Sequence, residues 1–317
     1  MSVTFPDYLT LDYVDGETQT AADYPSLGDK FEKAAEVVST AMAQYQRPAV
    51  MWTGGKDSTL VLYVVMEVAR EKGIEVPPVV FLDHFEHFPE TIEFVETWAE
   101  KLDLELIVGR NEDFVRLDTA VGDEIPVADL GEQNRRELAR LGYEGDTLVL
   151  DPDTFEGNHL LKTVVLNNVI TERGFDGVFS GVRWDEQDAR ADETFFSPRH
   201  ESEKYPPHDR VHPILQFEEA DLWEAFWQYI VPDYVEGYPA GHVPGSTDDL
   251  PEGIEAADLP ISPKYWEGFR SLGTESGSAK SSDAPAWLQD LETTGEREGR
   301  AQDKEDLMAR LRDLGYM

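Results

Sequence analysis

Cysteine is absent from the 317 residues. That excludes disulfides, thiolate metal sites and thiol catalysis together. Basic residues are scarce: 27 lysines and arginines stand against 65 aspartates and glutamates, a formal net charge of −38. Non-specific nucleic-acid binding needs the opposite footprint. The acids are spread along the chain with no single block, which reads as a solvated, salt-adapted surface and not as a tail for a basic partner. Self-repulsion on this scale weakens a compact fold in dilute buffer, and salt screens it. Long apolar runs are missing too. The most apolar, "LVLYVVMEVA", falls short of the ~20 residues a membrane helix needs. "MSVTFPDYLTLDYVDGETQT" carries neither the basic segment nor the apolar run of a secretory signal. The expectation is a cytoplasmic protein of a salt-rich cytosol.

What is present is alternation. "DKFEKAAEVVSTAMAQYQ" has helical spacing; "PAVMW" is a short apolar strand; "DSTLVLYVVMEVAREKG" is a helix closing on Gly73 with basic residues in its last turn. "PPVVFLD", "FPETIEFVETWAEKL" and "DLELIVG" continue as strand, helix and strand. "NRRELARLG" suits a helix and "DTLVLD" a strand; "GNHLLKTVVLNNVITERG" is a helix and "FDGVFSG" a strand. "RVHPIL" and "EEADLWEAFWQYI" follow as strand and amphipathic helix, with Trp223, Phe226 and Trp227 on its core side. Strand and helix alternating from residue 48 to 181 predict an α/β fold with a doubly wound, mostly parallel sheet. Residues 1–28 read as a loosely attached arm, 29–235 as the α/β domain, and the Gly-, Pro- and acid-rich 236–317 as an irregular C-terminal extension.

The chemistry-bearing stretch is "TGGKDST", between the first strand and the next helix. Ligands of open α/β sheets sit beyond the carboxyl ends of the strands. Gly54 and Gly55 allow close backbone approach, the helix-start amides and dipole face an anion, Lys56 adds a full charge, and Ser58 and Thr59 add hydroxyls. This is a phosphate cradle, but not a Walker A loop. Val50 stands where that pattern has glycine, and Asp57 where it has Ser or Thr. Nor does it carry the third glycine of the dinucleotide fingerprint.

Strand, "TGGKDS", helix resembles the PP-loop of the ATP pyrophosphatase group, with Thr53 replacing the usual serine. Four further segments resemble the nucleotide-sulfate reductases and the small subunit of heterodimeric ATP sulfurylase. In "FLDHFEHFPET", Asp83 takes the place of an aspartate bordering the adenosine site, though His84 and Phe85 replace the usual Thr–Gly. "SGVRWDEQDARADETFFSPR" is similar to an arginine-rich loop facing phosphates and sulfate, with Gly181, Arg183 and Arg190 carried over and Asp185 and Glu186 beside them. "DRVHPILQFEEADLW" matches a later strand and helix. "YWEGFRSLGT" and "TTGEREGRAQDKEDLMARLRDLGYM" resemble the final segment of the sulfurylase small chain, with Arg297 and Arg300 matching its arginines; Gly273–Thr274 replaces a usual Gly–Cys.

The resemblance implies an adenine nucleotide alpha hydrolase-like fold and cleavage of ATP between its α- and β-phosphates. It implies Mg²⁺ as cofactor, sulfate as acceptor and a GTPase large subunit as partner. Lys56, Arg183 and Arg190 are the implied catalytic residues; Thr53, Gly54, Gly55, Asp57, Ser58, Asp83, Gly181, Arg297 and Arg300 are the implied nucleotide contacts. The reductases of the group end in a catalytic cysteine, which this chain lacks. A PP-loop enzyme with another acceptor and a nucleotide-binding regulator remain as other readings. His84, Glu86 and His87 in one turn suit a helix start better than a metal site.

Overall fold

The computed structural model describes residues 9–186, 190–200, 205–294 and 296. Leu27–Gln44 (α1) buries Ala34, Val37, Val38 and Ala41, a single apolar stripe. Ser26 caps it: the Asp29 amide donates to the Ser26 hydroxyl at 3.1 Å, and the Ser26 amide donates to the Asp29 carboxylate at 3.0 Å. Pro48–Met51 (β1) leads to Lys56–Lys72 (α2), which stops at Gly73 in the left-handed conformation, φ 63°. Val79–Leu82 (β2), Pro89–Lys101 (α3) and Leu106–Gly109 (β3) repeat the unit.

The alternation then breaks. Glu112–Arg116 (α4), Glu124–Pro126 (β4), Glu132–Arg140 (α5) and Thr147–Val149 (β5) form a separate layer. β4 and β5 pair antiparallel with each other and not with the main sheet. They cover a second apolar cluster that includes Phe114, Ile125, Leu138, Leu148 and Leu160. The strand expected at "DTLVLD" is real, but its membership in the parallel series is corrected. Only its middle residue is buried, the one-sided pattern of an antiparallel strand.

The long helix expected at 157–174 is Phe155–Asn158 (α6), a widened π segment at His159–Thr163, and Val164–Arg173 (α7). Gly177–Phe179 (β6), Phe196–Arg199 (β7) and His208–Val211 (β8) complete the sheet. Its order is β3-β2-β1-β6-β8-β7, parallel throughout except β7. Sequence pattern does not reveal β7. Pro198 interrupts it, and only an edge strand tolerates a residue with no N–H. The chain runs outward from β1 to β3 and resumes on the other side at β6, so the topological switch lies between β1 and β6.

Glu219–Ala225 (α8), a π segment at Phe226–Ile230 and Val231–Tyr234 (α9) follow. Trp223, Phe226 and Trp227 are buried, as their spacing implies. Beyond residue 235 the chain is irregular, with short 3₁₀ turns and Pro263–Trp266 (α10). Irregular does not mean peripheral. Tyr238, Leu259, Ile261, Tyr265 and Trp287 belong to the same core cluster as Val50 and Leu60.

The loosely attached arm is also corrected over residues 9–28. The Tyr13 hydroxyl donates to buried Asp209 at 3.0 Å, the Phe195 amide donates to the Asp15 carbonyl at 3.1 Å, and α1 already starts at Leu27. No helix among the described residues is long and apolar enough to cross a membrane.

Candidate active site

The glycine turn leaves β1 and the "SGVR" loop leaves β6, the two strands that flank the switch. Gly54 sits at φ 74°, and an added Cβ would lie 2.9 Å from Val95. Hydroxyls stitch the turn: the Thr53 amide donates to the Ser58 hydroxyl at 3.1 Å, and the Gly55 amide to the Thr53 hydroxyl at 3.3 Å. The second loop closes against the first because Gly181 has no side chain. A Cβ there would meet the Asp57 carbonyl carbon at 2.8 Å and the Ser58 amide at 2.9 Å. Thr59, in contrast, turns away and accepts from the Trp52 indole at 3.1 Å.

Two cations meet where the loops touch, and both are almost wholly buried: Lys56 and Arg183 are each 1% exposed. Lys56 Nζ donates to Glu296 Oε1 at 2.6 Å and to the Arg270 carbonyl at 2.9 Å. Arg183 donates through one terminal nitrogen to Glu296 Oε2 at 2.6 Å, through another to Asp57, and through Nε to Asp185 at 2.8 Å. One carboxylate is thus gripped by a lysine and an arginine at the mouth of a helix N-terminus. Burial pushes the Glu296 carboxyl up, but Lys56 and Arg183 outweigh it and hold it well below the usual carboxylate range. Arg270 closes the cluster by pairing with Glu219, itself 4.0 Å from Lys56 Nζ.

Beside this cluster lies a cavity of about 280 Å³, lined among others by Thr53, Gly55, Asp57, Ser58 and Gly181. Lys162, Glu186, Arg190, Arg210, Tyr265 and Glu296 also face it. A larger groove of about 680 Å³ runs between α1 and α2, but its walls, Phe31, Tyr63 and Tyr229 among them, contain none of the motif residues.

The expected residues therefore divide. Thr53, Gly55, Asp57, Ser58, Gly181 and Arg190 line the cavity, and Gly54 shapes its loop. Lys56 and Arg183 lie behind its surface and hold Glu296. Asp83 is not among the lining residues. Its carboxylate accepts from Arg110 Nε at 2.8 Å and from the Phe85 amide at 2.9 Å. It fixes the turn, in which Phe85 takes the left-handed φ of 68°, and the turn presents His84 and His87 to the cavity instead. Their rings stack with centroids 3.7 Å apart, and burial pushes His84 down to about 2. Among the described residues no group of three or more His, Asp or Glu is arranged to hold a metal ion. Arg297 and Arg300 lie outside the described residues.

Four lining residues are not among those expected from the sequence, although Arg210, Tyr265 and Glu296 lie in segments that carry the resemblance. Lys162 rides on the π segment, Arg210 on β8, Tyr265 on α10, and Glu296 opens the "EREGR" stretch, where the resemblance points only to the arginines. Periodicity marks none of them, because each reaches the site through long-range packing.

The chain matches the phosphoadenosine phosphosulfate reductase domain over residues 47–241. It is 23% identical to a protein named sulfate adenylyltransferase subunit 2 from Saccharophagus degradans, covering 90% of this chain and 95% of the relative. It is 26% identical to the protein of the same name from Chelativorans sp., covering 86% and 91%. A solved structure of Candida glabrata FMN adenylyltransferase with FMN and an ATP analogue superposes with a TM-score of 0.49 at 14% identity, covering 97% of this chain and 86% of that one. Glycine turn, arginine loop and parallel sheet all fall within the matched span, and the chain belongs to the phosphoadenosine phosphosulfate reductase domain family.

Proposed function

We propose that this protein transfers the adenylyl group of ATP to sulfate, giving adenylyl sulfate and pyrophosphate. The observation that carries the reading is the double grip of Lys56 and Arg183 on one carboxylate at the switch point. A site that holds the Glu296 oxygens this way is built to hold phosphate oxygens. A sulfate oxygen attacks the α-phosphorus in line. The bond from that phosphorus to the bridging oxygen breaks, and pyrophosphate leaves with the electron pair. Sulfate is already ionised, so no general base is needed.

The residues share the work by position. Lys56 and the helix-start amides take the β- and γ-phosphates once Glu296 yields. Arg183 holds Asp57 and Asp185 and so fixes the two loops against each other. Arg190, with Arg210 and Lys162, supplies the charge that lets a second anion enter a protein of net charge −38. Arg297 and Arg300 are proposed to add to it. Mg²⁺ arriving on the phosphates would find oxygen ligands in Asp57 and Glu186, which both face the cavity; it would neutralise phosphate charge.

Adenosine is proposed to lie against the β2 turn that Asp83 shapes. A thiol reductase is disfavoured by the absence of cysteine. A GTPase large subunit is the proposed partner, because the relatives are named as one subunit of a sulfate adenylyltransferase. A salt-rich cytoplasm is the proposed setting.

Product analysis tests this directly. An AMP adduct with pyrophosphate supports the reading, whereas ADP with phosphate would overturn it.

A further inference from the structure

We propose that the Tyr265 hydroxyl is a donor of the anion cradle, contacting the oxygens of the departing pyrophosphate. This rests on the adenylyl-transfer reading for its ligand but not for its geometry.

The Lys56 amide, first in α2, donates to Tyr265 Oη at 2.8 Å. That amide is one of the helix-start groups that lack an intrahelical partner. The phenol oxygen has taken the position an anion oxygen would otherwise fill. Having accepted there, the hydroxyl still carries its own proton, and among the described residues no acceptor receives it. Tyr265 is 2% exposed and lines the cavity, so the unspent O–H has the cavity to face. Burial pushes the phenol up, which keeps the proton in place at working pH. The hydroxyl therefore converts an amide donor set back in the turn into an O–H donor farther forward.

The ring is held for this task. Trp223 packs edge-on at 5.2 Å, the Lys56 ammonium lies 5.8 Å from the ring centre, and the Tyr265 amide donates to the Ser262 carbonyl at 3.1 Å. Ser262 and Tyr265 belong to α10 and its cap, so the irregular extension supplies part of the cradle. Nothing in the glycine motif implies this residue, which lies 209 positions from Lys56.

The test is Tyr265→Phe, which keeps the ring and removes the oxygen. Binding of inorganic pyrophosphate is measured by calorimetry in molar KCl, and turnover of ATP alongside it. The expected result is a folded protein with a modestly lowered thermal midpoint, because the Lys56 amide loses its acceptor, a pyrophosphate Kd raised about tenfold, and kcat lowered more than the KM for ATP rises. One oxyanion donor is typically worth about 10²–10³ in kcat, and a flanking donor less. Pyrophosphate affinity and kcat both within twofold of the parent would overturn the assignment. So would a lower midpoint with unchanged kcat, which a merely structural tyrosine would give. If the parent binds pyrophosphate yet turns over no ATP either alone or with a GTPase large subunit and GTP, adenylyl transfer fails while the binding comparison still decides the role of Tyr265. If Phe fails to fold, Tyr265→Trp is measured in its place, judged by the same two readouts.

Discussion

Glu296 is the residue whose position says most about the resting site. Its carboxylate satisfies Lys56 and Arg183, so on the proposed reading an incoming phosphate competes with it. Glu296→Gln removes that competitor, and with it a buried counter-charge whose loss typically costs about 3–5 kcal/mol. The expected outcome is a lower thermal midpoint without ligand, with the gap to the parent narrowing when pyrophosphate is added. A gap that pyrophosphate leaves unchanged would show that Glu296 does not occupy the anion site.

The two cations behind the cavity differ from Arg190, which is buried as they are but lines the cavity wall. Lys56→Ala should abolish pyrophosphate release while circular dichroism still reports a folded chain. Arg190→Ala should raise the sulfate requirement tenfold or more with little change in midpoint, since Arg190 faces the cavity. Arg183→Ala should chiefly lower the midpoint, because it strands Asp57, Asp185 and Glu296 together.

At the scale of elements, the site depends on two loops packed backbone to backbone. Gly181→Ala places a methyl within 3 Å of the Asp57 and Ser58 backbone, where no flexible side chain can give way. Turnover should fall at least tenfold while the rest of the sheet melts as before. An active Gly181→Ala would mean that the loops need not touch. The same packing explains what the sequence could and could not reveal. "PAVMW-TGGKDST" was legible because strand, glycine turn and helix are neighbours in the chain, and short-range pattern dictates all of them. "SGVR" was legible for the same reason.

Tyr265 and Lys162 were not, because their places follow from how α10 and the π segment pack on the sheet. β7 was hidden by Pro198, and β5 looked like one more parallel strand because a three-residue run carries too little alternation to tell. Asp83 sits at the strand end as expected, with its carboxylate bonded to Arg110 and the Phe85 amide, an arrangement the sequence does not show.

At the scale of the molecule, charge and buried imidazoles set the conditions. A formal charge of −38 makes the unfolding midpoint rise steeply between dilute buffer and molar KCl; a flat response would contradict the salt-adapted reading. The buried imidazoles His84, His208 and His212 are all pushed down, chiefly by burial. Each is neutral in the fold but takes up a proton near its ordinary 6.5 when unfolded. The unfolded chain therefore binds more protons below that pH, and stability falls as the solution is acidified. Each contributes up to about 1.4 kcal/mol per pH unit, and for His84 the window closes only near 2. Most carboxylates do not yet titrate between 6.5 and 5, so a melting series there should show the loss, and a constant midpoint would show that these histidines are charged in the fold.

The most direct test of the central claim is pyrophosphate release from ATP and Mg²⁺ in molar KCl, with and without sulfate. It is run on the chain alone and again with a GTPase large subunit and GTP. The account predicts release that depends on sulfate in at least one arrangement and vanishes in Lys56→Ala. Release that ignores sulfate, or that survives loss of Lys56, would contradict it.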